Sequence, residues 1–332
     1  MPHDMRAMRF AAPGAPLQLA RVAVPVPADN EVLLRVCACG VCRTDLHIAD
    51  GELHPSRWPL TPGHEVVGRV QRLGRRVAGL DVGERVGVPW LAHSCGLCVF
   101  CLGGRENLCE RASFTGLDRD GGYADYIVAD ARYVLRLPER YDDAHVAPLL
   151  CAGLIGYRAY AMTGAARRLG LYGFGAAAHI IAQLAQHQGK DIYAFTRPGD
   201  TGSQQFARTL GARWAGGSDE RPPCELDAAI IFASDGALVP AALAAVARGG
   251  TVVCAGIHMS DIPAFPYATL WGERSLRSVA NLTRADGEAF FRIAADVHLH
   301  TTVTEFALEQ AGAALSALRA GSFDGAAVLI VD

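Results

Sequence analysis

Residues 168–196 read RLGLYGFGAAAHIIAQLAQHQGKDIYAFT. A short apolar run ends at Tyr172 and a glycine turn comes next; Ile180, Ile181, Leu184 and Ala185 then recur at the spacing of one helix face. After Gly189 a second apolar run, DIYAFT, begins. Strand, turn, helix and strand in that order form the unit from which a parallel sheet is wound, because parallel neighbours need a crossover long enough to hold a helix. Inside the turn, Gly173, Gly175 and Ala178 make G-x-G-x-x-A. The glycines permit a tight turn and close approach of a pyrophosphate, which rests against the unpaired N–H groups at the helix start. Between a strand and a helix, such a turn points to a dinucleotide.

The end of the second strand bears on which dinucleotide. An Asp there would bond the adenosine 2′-hydroxyl and repel a 2′-phosphate. Here the position holds Thr196 followed by Arg197, and a hydroxyl beside a guanidinium favours the phosphate. NADP(H) is the expected cofactor. Asp200 is close enough in sequence to keep NAD(H) open.

The same texture continues downstream. GSQQFARTLGA (202–212) reads as a helix, DAAIIFA (227–233) as a buried strand, ALVPAALAAVARGG (237–250) as a helix and TVVCAGI (251–257) as a strand. Alternation of this kind predicts a doubly wound parallel sheet. Upstream the pattern differs. EVLLRVCACGVC (31–42), EVVGRVQRLG (65–74), GERVGVPW (83–90) and GGYADYIVAD (121–130) are β-prone runs broken by Gly, Pro and Asp, which suggests a small barrel. The closing segment from Ala307 reads as a helix, a glycine stop and a strand. The fold class is therefore α/β, a β-rich domain joined to a parallel-sheet domain.

At 332 residues the chain has room for two domains. Its 51% hydrophobic and 20% charged residues are a globular composition, and a net charge of −3 argues against nucleic acid or an acidic membrane surface as partner. The most apolar runs are too short to span a membrane, and MPHDMRAMRFAAPGAPLQLA shows no secretory pattern. With ample apolar residues for a core, ten cysteines do not suggest a secreted disulfide scaffold, so a cytoplasmic, reducing location is expected.

Clustered thiols in that setting suggest a metal. Cys95, Cys98, Cys101 and Cys109 form C-x2-C-x2-C-x7-C within about residues 92–112. Thiolates two residues apart can grip one tetrahedral zinc from a tight turn, and a fourth closes the shell. Four thiolates leave no position for substrate, so this zinc would be structural. An iron–sulfur cluster is the rival, since short cysteine spacings also serve it.

Three further segments carry a resemblance. CGVCRTDLH (39–47), GHEVVG (63–68) and PLLCAG (148–153), together with the four-cysteine lobe, resemble the zinc-dependent medium-chain alcohol dehydrogenases over nearly the whole chain. The resemblance implies a GroES-like catalytic domain over 1–152 and 282–332 and a Rossmann nucleotide domain over 153–281. It implies a catalytic zinc held by Cys42, His64 and Cys151, with one position open and Glu65 as a neighbouring carboxylate that can enter the shell. Asp45 would orient His64 through its other ring nitrogen. Thr44 would receive the alcohol proton and His47 would collect it, while Arg43 would contact the pyrophosphate. Trp90 resembles a bulky pocket wall.

An enzyme of this kind would carry two zinc ions and oxidise small alcohols reversibly to aldehydes or ketones with hydride transfer to a nicotinamide, as a homodimer or homotetramer. Two other readings belong to the same fold: a zinc-free quinone reductase, which would lack the ligand set, and a non-catalytic nucleotide- or metal-binding protein, which would need no Thr44–His47 proton path.

Overall fold

The computed structural model of the chain describes residues 3–323 and 325–331. The chain divides into two compact units, one formed by Ala152–Asn281 and the other by Met1–Cys151 with Leu282–Asp332.

In the first of these, six parallel strands lie in the order Trp214–Gly217, Asp191–Thr196, Arg168–Tyr172, Leu226–Ile231, Val246–Cys254, Ser275–Ser278. The chain winds outward from Arg168–Tyr172 in one direction, then returns and winds the other way. The reversal falls between Arg168–Tyr172 and Leu226–Ile231, so the glycine turn leaves the sheet at the point where such folds bind ligands. Leu169, Leu171, Ile230 and Ile231 are fully buried, as expected of a sheet covered on both faces. Tyr172 and Phe195 stack across neighbouring strands with ring centroids 4.0 Å apart. The helices Ala176–His187, Thr201–Thr209 and Leu238–Ala245 are the crossovers.

One boundary differs from the sequence reading. The helix expected over 237–250 ends at Ala245, and Val246 is already a strand residue paired with Leu226. Val246 is β-branched and fully buried, so pairing outweighs helix propensity there. Pro240 sits in the first helical turn, where its missing N–H costs nothing.

The other unit is built on a mostly antiparallel sheet whose central strand, Glu31–Val41, pairs with Glu65–Leu73, Tyr126–Asp130 and Ala326–Ile330. Val32, Leu34, Val36, Val66, Val70 and Leu329 point inward from these strands and are fully buried, with the period of two that sets one face of each strand against a core. Elements not read from the sequence include the hairpin Asp4–Arg9 with Gln18–Ala23, the helices Arg43–Ala49 and Arg284–Asp296 and the strand Val303–Ala307. Thr283 opens the helix Arg284–Asp296 by a reciprocal cap, its Oγ1 accepting from Asp286 N (3.1 Å) while Asp286 Oδ2 accepts from Thr283 N (2.8 Å). The final strand closes on the sheet with Ala327 opposite Val41. No helix among the described residues is long and apolar enough to cross a membrane.

Candidate functional site

Cys42 is the first residue past Val41 and caps the helix Arg43–Ala49. Asp45, in the first turn, accepts from the Cys42 backbone N–H through Oδ2 at 2.9 Å, which fixes the cysteine at the helix start. The strand Glu65–Leu73 begins beside it, bringing His64 Nε2 to 3.3 Å from Cys42 Sγ. Cys151 comes from the end of a short turn, Ala147–Leu150, packed under the same sheet. One ligand atom from each of Cys42, His64, Glu65 and Cys151 lies within 4.8 Å of the others. A zinc bound by sulfur and imidazole nitrogen sets its ligands about 3.5–3.8 Å apart, so the cluster has the dimensions of a single-ion cradle.

The cradle encloses several groups that can carry negative charge. The Cys151 thiol hydrogen-bonds to Cys42, holding the Cys42 thiol well below its ordinary value against the opposing effect of burial. The same bond, with burial, pushes Cys151 well above its own. Burial also raises Asp45 and Glu65. Thiols and carboxyls enclosed together without water cannot all ionise unless a positive charge stands among them. His64 Nδ1 lies 3.6 Å from Asp45 Oδ1, both side chains are fully enclosed, and neither atom has a hydrogen-bond partner. Asp45 thus stands where it can orient the imidazole, though the contact is longer than a hydrogen bond.

Glu65 owes its place to a glycine. Gly40 is its partner across the two strands, and a β-carbon at 40 would meet Glu65 Oε2 at 1.8 Å. Thr44 is buried, and its hydroxyl reaches the Cys42 sulfur. Arg43 is exposed at the helix start. His47, near the other end, pairs through Nδ1 with Glu52. Trp90 meets the His64 imidazole edge-on at 4.9 Å and stacks on Phe114 at 5.1 Å, so it stands against the cradle. Sequence reasoning overlooked Gly40, Glu52 and Tyr123. The Tyr123 ring crosses Gly63, where a β-carbon would come within 2.3 Å of it. Of the three, Glu52 alone carried a local signal: Gly51 stands just before it, and a glycine at a helix end turns the next residue back onto the helix.

The four-cysteine lobe forms a second group, its ligand atoms again within 4.8 Å of one another. Cys95 Sγ and Cys98 Sγ lie 3.8 and 3.5 Å from Cys101 Sγ. Backbone N–H groups of Leu97 and Cys98 point at Cys95 Sγ (3.5 and 3.4 Å) and draw that thiol down to about 5. Burial instead lifts Cys109 to about 11. Donors already aimed at sulfur suit a bound anionic thiolate.

In the other unit, Gly173 has φ +84°, and a β-carbon there would lie 2.9 Å from Ala233 N. Gly175 caps the helix Ala176–His187 without a side-chain bond and has open space where a β-carbon would stand. Ala178 is fully buried at the helix underside. Of the residues at the second strand's end, Thr196 turns inward: its hydroxyl donates to Arg197 O (3.1 Å), with Gly216 O further off at 3.4 Å, and accepts from Gln204 Nε2 (3.2 Å). Asp200 caps the helix Thr201–Thr209 by accepting from Ser203 N at 3.0 Å. Arg197 is exposed.

Residues 28–139 match the alcohol dehydrogenase GroES-like domain family. Over 98% of its length the chain is 47% identical to a probable alcohol dehydrogenase of Mycobacterium tuberculosis, covering 97% of that protein. The chain belongs to the zinc-type medium-chain alcohol dehydrogenases. The dehydrogenase is also 35% identical to an alcohol dehydrogenase of Geobacillus stearothermophilus, with 96% of this chain and 97% of that one covered. Among solved structures it resembles a cobalt- and zinc-bound thermostable alcohol dehydrogenase from Pyrobaculum aerophilum, with TM-score 0.88 and 25% identity over 99% of this chain and all of that one (100%). The dehydrogenase is an oxidoreductase acting on alcohols, with a GroES-like domain and a parallel-sheet nucleotide-type domain.

Proposed function

We propose that this alcohol dehydrogenase is zinc-dependent, with a catalytic ion at Cys42, His64 and Cys151 and a structural ion at Cys95, Cys98, Cys101 and Cys109. The observation that carries the reading is the convergence of two sulfurs, an imidazole nitrogen and a carboxylate within 4.8 Å. Two thiolates and a neutral imidazole match the preference of zinc, and three such ligands leave a position for substrate. The lobe's sulfur separations support one ion there, because an iron–sulfur cluster interposes several irons between its cysteines.

When bound in the cradle, zinc supplies Lewis acidity toward the alcohol oxygen. The remaining work falls to the chain. Asp45 holds Cys42 through its backbone N–H and stands behind His64. Thr44 accepts the alcohol proton at its hydroxyl oxygen while giving up its own, and His47 holds the proton at the solvent side. Glu65, with a carboxylate oxygen in the same cluster, would be a reserve ligand for the ion. Trp90, backed by Phe114, restricts the neighbourhood of His64 and favours small alcohols.

A nicotinamide cofactor would supply the hydride acceptor, and the turn Gly173–Ala178 would hold its pyrophosphate. Arg197 favours NADP(H): it is exposed after the strand, whereas Asp200 is engaged as a helix cap. Thr196 contributes by shape rather than by its inward hydroxyl. We place the enzyme in the cytoplasm, as a homodimer or homotetramer.

Metal analysis of the purified protein tests the reading directly. It should return two zinc ions per chain, one for each group, and Cys42→Ser should remove one of them. Alcohol with oxidised cofactor should raise absorbance at about 340 nm, the reduced nicotinamide band. A metal-free protein that turns over alcohol at the full rate would overturn it.

A further inference from the structure

We propose that Glu52 is the positioning residue of the proton relay: its carboxylate keeps a proton on His47 Nδ1 and so leaves Nε2 to receive the one released from the alcohol. The inference rests on the reading of His47 as the relay's outer end.

The contact is built by the way the helix Arg43–Ala49 stops. Asp50 caps it, and Gly51 takes a left-handed conformation at φ +75°. Gly51 N–H donates to Ile48 O at 3.1 Å and Glu52 N–H donates to His47 O at 2.9 Å. This pair of bonds reverses the chain and lays the second residue after the cap beside the third residue from the helix end. Those two residues are Glu52 and His47, and their side chains meet, carboxylate to Nδ1.

The turn does not depend on the Glu52 side chain. Asp50 is gripped by Arg319 through two bonds of 2.9 and 2.6 Å, and Ala49 O accepts from Gly14 N at 2.9 Å. Replacing the carboxylate therefore leaves the helix end in place.

The chemistry follows from what a carboxylate can do. It accepts hydrogen bonds and cannot donate them, so the imidazole nitrogen facing it carries the hydrogen. A neutral imidazole has only one N–H, so Nε2 presents its lone pair. With the opposite tautomer, Nε2 would meet an incoming proton with an N–H and the relay would be blocked until the ring exchanged protons. No proton crosses the ring: the one released from the alcohol is held at Nε2 alone. It arrives at Nε2 and the ring becomes a cation beside the Glu52 carboxylate; the same Nε2–H bond then breaks to give the proton to water, while Nδ1–H stays with Glu52 throughout. The His47 side chain is 20% exposed and Glu52 54%, so the pair spans the step from enclosed protein to solvent.

The test compares Glu52→Gln, Glu52→Asp and His47→Gln in the zinc- and cofactor-loaded enzyme. It has two readouts: alcohol-oxidation kinetics, and ring-nitrogen NMR of histidine-labelled protein. In the native enzyme His47 should carry its proton on Nδ1. Glu52→Gln should shift the tautomer toward Nε2–H and lower kcat about tenfold, with alcohol KM and zinc content unchanged; Glu52→Asp should restore most of both. A native spectrum with the proton on Nε2 overturns the proposal without any variant. So does native turnover in Glu52→Gln when His47→Gln is slow. If His47→Gln itself turns over normally, the relay reading fails, and the role of Glu52 fails with it.

Discussion

Gly40 and Glu65 face one another across two antiparallel strands, and the Glu65 carboxylate occupies the space that a side chain at position 40 would fill. The carboxylate next to the metal cradle is thus seated by the absence of a neighbour. Gly40→Ala should push Glu65 off its seat, because the contact of 1.8 Å leaves no room for a methyl group. We expect a stability loss of about 1–3 kcal/mol from overpacking and a fall in kcat of about tenfold or more, as for altered outer contacts of a metal site. Denaturant melts and steady-state kinetics measure both; native values for both would show that Glu65 has another way to sit.

The structural lobe should behave differently from the cradle. If the lobe holds zinc as proposed, Cys98→Ser removes one of four sulfurs and should remove the ion with it, with the folding free energy that its binding would supply. A drop in Tm of more than about 5 °C is expected, with one zinc missing and the cradle's ion retained. An unchanged Tm with the zinc gone would mean the lobe is not stabilised by metal.

On the proposed NADP(H) reading, cofactor choice would turn on Arg197. A guanidinium bonded to a 2′-phosphate contributes about 1.5–3 kcal/mol, so Arg197→Ser should lower kcat/KM for NADP roughly 10- to 100-fold and leave that for NAD nearly unchanged. Equal losses with the two cofactors would exclude Arg197 as the discriminating contact.

Away from the site, Asp227 gives the nucleotide unit a pH-dependent brace. Burial alone would raise its carboxyl, but bonds from the Arg168 side chain and from the backbone N–H groups of Arg167 and Arg168 outweigh that and hold it below the ordinary value. A depressed folded-state value means the stabilisation is complete above the unfolded carboxylate range and disappears as pH falls through the folded value. The Tm difference between native protein and Asp227→Asn should therefore be constant above about pH 5 and shrink below about pH 4. A difference that grows on acidification would reverse the sign and refute the brace.

The parallel sheet is readable from the chain because its evidence is local: apolar runs, a glycine turn and one helix face fit within residues 168–196. The lobe is readable for the same reason, four cysteines standing in one short loop. The cradle is another matter. Cys42, His64 and Cys151 are separated by long stretches with no common period, so only the likeness of short segments to a family joins them. Thr196 reads as a phosphate contact until its hydroxyl is seen to be claimed by the Arg197 carbonyl and by Gln204 from the next helix. Gly40 is ordinary in a strand until its partner across the sheet is known. Val246 has helical neighbours before it and a strand to pair with, and burial decides in favour of the strand.

The pairing of Val41 with Ala327 has a consequence for biogenesis. The strand that leads into Cys42 waits for a neighbour that is translated only after the whole nucleotide unit. A nascent chain can fold that intervening unit early, as domains commonly do on the ribosome. The edge that bears Cys42 acquires this backbone partner only when residues 326–330 emerge, so on the zinc reading the ion would be loaded after the nucleotide unit has already been made.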